Sequence, residues 1–81
     1  MVADAIIAEH FGRLDVQSLS TVEYERGVSS LLSAIANETQ EDRRLELWLA
    51  ARKIGIAPPA KEIFSEPAIR ARAVSVEDAG F

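Results

Sequence analysis

Leu45-Glu46-Leu47-Trp48-Leu49-Ala50-Ala51-Arg52-Lys53-Ile54 decides how this chain folds. Wound at about 100° per residue, the stretch spreads its leucines, Trp48, alanines and Ile54 around most of a helical circumference. Glu46 and Lys53 remain as a narrow polar strip. A helix apolar on so many sides has to be enclosed, and an 81-residue chain has few neighbours to offer. The segment is therefore expected to be the central helix, with part of its cover drawn from outside its own polypeptide.

Outward from this segment, both ends carry stop signals. Thr39-Gln40-Glu41-Asp42 offers a cap followed by acids in the first turn, where the helix dipole favours them. At the other end Arg52 and Lys53 complement the dipole, and Gly55 stands where a left-handed terminating residue belongs. The helix is thus expected over about Gln40 to Ile54.

Upstream, Ser20-Thr21-Val22-Glu23 has the capping-box form and precedes Tyr24, Val28, Leu31, Leu32 and Ile35, which gather on one stripe. Gly27 lies at the margin of that stripe and costs roughly 1 kcal/mol against alanine, either because another helix approaches closely or because the loss is tolerated. An earlier helix is expected from residue 3 to about 11, with Ala3, Ile7, Phe11 and Leu14 on one face and Gly12 weakening its end. Val16 and Leu19 are the expected anchors of the connection to Ser20.

Downstream, Pro58-Pro59 stops the central helix and suits the start of a short one, expected over Pro59 to Phe64. Ser65-Glu66-Pro67 restarts the chain into a helix expected to end near Val74, leaving 75–81 frayed. The pattern describes one all-α domain over 1–81: a compact bundle of four to five short helices with the second and third as a central helical hairpin.

Charge is distributed unevenly. Residues 1–42 hold eight acids against Arg13 and Arg26, a net −6, and residues 43–72 hold seven bases against three acids, a net +4. Opposed halves of this kind attract within a monomer or between copies. Cysteine is absent, so packing has to supply the stability, and the composition suits a reducing compartment; a cytoplasmic protein is expected. The acids near the N-terminus oppose a secretory signal, no run approaches the roughly 20 apolar residues of a membrane span, and no membrane role is expected.

Chemistry-bearing residues are sparse. His10 is the single histidine and has no ligand-spaced companions, so no metal or cofactor is expected. Glu23 with Glu25, and Glu41 with Asp42, sit too close in sequence to face one another on a helix. Ser29, Ser30 and Ser33 have no activator nearby in sequence, and the four glycines are scattered, so no catalytic residue and no phosphate-cradling loop emerges.

The expected function is a non-enzymatic interaction module, a small regulatory or accessory subunit pairing with itself as a homodimer or with another protein. Its expected interface is Ile7, Phe11, Leu45, Trp48 and Leu49, with Trp48 alternatively a core residue of the chain itself. The alternative is a helix-turn-helix regulator built on Ala51 to Phe64, with Arg43, Arg44, Arg52 and Lys53 as a phosphate-facing patch. Against it stand the acidic balance and Lys61, which falls where the second helix wants an apolar side chain, so nucleic acid is the less expected partner.

Overall fold

Local signals set the helix ends. In the computed structural model, which describes residues 2–80, Ser20 Oγ accepts from the Glu23 amide and Glu23 Oε1 accepts from the Ser20 amide, both at 3.2 Å. This reciprocal pair starts α2, Thr21–Asn37. At the far end of α3, Glu41–Lys53, Gly55 takes φ +80°, its amide donates to the Arg52 carbonyl at 3.1 Å, and the Ile56 amide donates to the Ala51 carbonyl at 3.0 Å. That pair of bonds is the Schellman termination expected of a glycine there.

The remaining helices are α1, Val2–Phe11; α4, Ala60–Ile63; and α5, Pro67–Asp78, with a single 3₁₀ turn at Val16–Ser18. No strand occurs among the described residues, and the fold is all-α.

Three boundaries depart from expectation. Leu14 does not extend the apolar face of α1: Gly12 turns at φ +80°, and Leu14 is left 58% exposed. Thr39 does not cap α3; Gln40 holds that position without a side-chain bond, while Glu38 Oε1 accepts from the Thr39 and Gln40 amides at 3.0 Å each. Finally, α5 does not end near Val74 but runs to Asp78, and the Ala79 amide still bonds back to the Ser75 carbonyl. Val76 packs on the core and Glu77 Oε2 accepts from the Ala60 amide at 3.0 Å, so non-local contacts hold a segment that local propensity leaves open. Of the stretch expected to fray, Phe81 lies outside the described residues.

The core divides in two, with α3 between the halves. Leu47, Ala50 and Ala51 face Ile6, Ile7 and Phe11 of α1 and Leu31 and Ile35 of α2. Leu45 and Trp48 face Ala60 and Phe64 at α4 and Ile69 and Ala73 of α5. Taken about 100° apart, the two sets centre roughly 140° apart around α3. The helix is apolar around most of its circumference because it serves two cores of one chain.

Gly27 is buried where α1 crosses α2. A Cβ there would overlap the Phe11 ring, so close approach is the reason for the glycine. Phe11 also meets Tyr24 with ring centroids 5.9 Å apart in a tilted arrangement.

Candidate functional site

Of the five residues expected at an interface, Ile7, Phe11, Leu45 and Trp48 are buried within the chain itself. Leu49 differs: it is half-buried. Trp48 is fully enclosed. Its Nε1 donates to the Pro58 carbonyl at 2.8 Å, Phe64 meets the ring edge-on at 5.6 Å, and the Arg52 guanidinium lies 5.6 Å from the ring centroid. Of the two expectations for Trp48, core and interface, the core one fits: its cover comes from residues 58–73 of the same chain.

The cationic patch is largely committed to the fold. Arg44 reaches three backbone carbonyls: Nε to Ile35 at 3.2 Å, Nη1 to Ile63 at 3.1 Å, and Nη2 to Glu38. It thereby ties the end of α2 and the end of α4 to the first turn of α3, a task suited to a planar five-donor fork. Arg43 pairs with Glu46 at 3.8 Å, Lys53 pairs with Asp4, and Arg52 lies over Trp48. The Lys53 bond holds the Asp4 carboxyl below its ordinary range. The helix after Gly55, α4, is a single turn of four residues with Lys61 exposed, too short to lie along a groove as a recognition helix.

Sequence spacing missed one pairing of chemical interest: His10 Nδ1 and Ser30 Oγ lie 2.7 Å apart, joining α1 to α2. No group of three or more His, Cys, Asp or Glu residues suited to a metal occurs among the described residues. The pair bridges two helices.

A surface with apolar character lies where the N-terminal end of α1, the outer side of α3 and the C-terminal end of α5 meet. A cleft of 590 Å³ is lined there by Val2, Ala3, Glu46, Leu49, Arg52, Lys53 and Val76. Val2 is 53% exposed, and Leu49 and Val76 are half-buried. A second groove between α3 and α5 continues from it through the shared Leu49 and Val76 and includes Leu45, Ala71 and Arg72. Leu49 was legible from the apolar circumference of α3; Val2 and Val76 were not, since each sits near a helix end in a segment without a clear stripe.

Comparison of the chain with family models, with curated proteins and with solved structures finds no match. Among the described residues no helix is long and apolar enough to cross a membrane.

Proposed function

We propose that this protein is a non-enzymatic association module, a small regulatory or accessory subunit of the cytoplasm that acts by helix-mediated contact through the cleft between α1, α3 and α5. The observation carrying this reading is the cleft itself: an apolar floor of Leu49, Val2, Ala3 and Val76 rimmed by Glu46, Arg52 and Lys53. Apolar floors with charged rims are how protein contacts combine adhesion with orientation. Leu49 belongs to α3, the helix packed into both core clusters. A site of this kind is presented without rearrangement.

A photo-reactive side chain replacing Leu49 tests the proposal. It should trap a neighbouring protein chain, whereas the same group replacing Arg26, exposed on the outer side of α2, should not. No trapping from position 49, or equal trapping from both positions, would contradict it.

A further inference from the structure

We propose that the occupant of this cleft is a second copy of the chain, docked about a two-fold axis that sets the two α3 helices antiparallel at Leu49; the inference rests on the reading of the cleft as an association surface. The argument is where charge sits around Leu49. Glu46 and Lys53 are one heptad apart and both line the cleft. At about 100° per residue they fall on the same flank of Leu49, roughly 60° and 40° round from it, one toward each end of the helix.

Across an antiparallel two-fold, same-flank positions spaced by a heptad about the centre face one another. Glu46 of each copy then meets Lys53 of the other, at both ends of the seam, with the Leu49 side chains between. A parallel two-fold puts same-flank positions on opposite sides of the seam, where Glu46 and Lys53 of the two copies do not meet, so only the antiparallel arrangement pairs these charges. Both side chains are accessible, 41% for Glu46 and 47% for Lys53. Lys53 already holds Asp4, and an ammonium with three donors serves a second carboxylate without releasing the first.

Size is consistent with this occupant. A stable contact takes about 800 Å² from each partner, roughly a sixth of the chain's 5028 Å² surface. The 590 Å³ cleft and the groove that continues it past Ala71 and Arg72 form one face through Leu49 and Val76, so contact can spread along α5.

The test is charge reversal with cross-mixing, read as mass by light scattering over a concentration series, with circular dichroism to verify that each variant is folded. The wild-type chain should approach twice its 8.9 kDa mass. Glu46→Lys and Lys53→Glu should each stay monomeric, because each sets like charges at both ends of the seam. An equimolar mixture of the two should recover the dimer: the introduced lysine then meets the introduced glutamate at one end of the seam, and the native Lys53 of one variant meets the native Glu46 of the other at the opposite end. Recovery on mixing is not expected from a merely structural role for either residue, including the loss of the Asp4 pair. A wild-type chain monomeric at every concentration would overturn self-pairing and leave the association reading to the cross-linking test. A dimer indifferent to the charge reversals would overturn the antiparallel arrangement, and a dimer that also survives Leu49→Glu would overturn both readings.

Discussion

The two sides of α3 are built differently. Toward α1 and α2, the core is made of aliphatic side chains spaced along long helices, with one close crossing where Phe11 packs over Gly27. Toward α4 and α5, the core centres on one large aromatic side chain, Trp48, covered by a short helix, two connecting segments and the last helix. Here polar bonds do what regular spacing does on the other side: Trp48 to Pro58, Arg44 to Ile63, Ala60 to Glu77, and Ser65 to Glu41. A helix surrounded by apolar residues is therefore no sign of a missing partner when a chain folds back over it after a Pro-Pro turn.

The largest expected effect separates the two sides. Trp48→Ala removes the plug of the second core and leaves the Pro58 carbonyl without its donor, at a cost of about 3–5 kcal/mol. Since small domains hold only about 5 kcal/mol or somewhat more, most of the stability is lost. Amide hydrogen exchange should accelerate in 58–78 before it does in α1 and α2; uniform acceleration would show that the two cores are one cooperative unit.

Next comes Arg44→Lys, which keeps the charge and loses the fork. With three carbonyls served by one guanidinium, about 2 kcal/mol is expected in chemical denaturation. A value near zero would mean that the α2 and α4 ends are held by packing.

Gly27→Ala probes the first core. Its new Cβ gains roughly 1 kcal/mol of helix propensity but displaces a buried ring, for which about 1–3 kcal/mol is typical. A net loss of about 1 kcal/mol is expected, and a more stable variant would refute the close crossing.

The smallest effect is one of pH. Burial pushes the Glu41 carboxyl up, but the two Ser65 bonds, Arg44 and the Glu66 amide outweigh it and hold the group below its ordinary range. A carboxylate lowered in the folded state contributes stability that is complete above the ordinary carboxylate range and is lost as pH falls through the folded value. The melting temperature of wild type should therefore fall on acidification through that range more steeply than that of Glu41→Gln. Parallel curves would show that Glu41 carries no part of the dependence.

How much of this was legible in the sequence follows from which contacts are local. Ser20 with Glu23, Gly55 after Lys53, and Pro67 at the start of α5 act within one turn of chain, and each marks the boundary its residue type implies. The length of α5 was not legible, because Val76 and Glu77 act on partners far away in sequence. Arg44 looked like a surface cation for the same reason: carbonyls at 35, 38 and 63 have no signature in residue types. At the candidate site, the periodicity of α3 pointed to Leu49 but could not rank it against Leu45 and Trp48. Which apolar residues of an all-round apolar helix stay uncovered depends on where the chain returns, and the return begins at Pro58.

Trp48 is the single tryptophan, so its fluorescence reports directly on whether one polypeptide encloses it. Enclosure by its own chain predicts blue-shifted emission shielded from iodide, unchanged on dilution and unchanged in Leu49→Glu. Emission that shifts to the red and becomes quenchable as the protein is diluted would show that a second chain completes the cover, contradicting the division of α3 between two cores of one molecule.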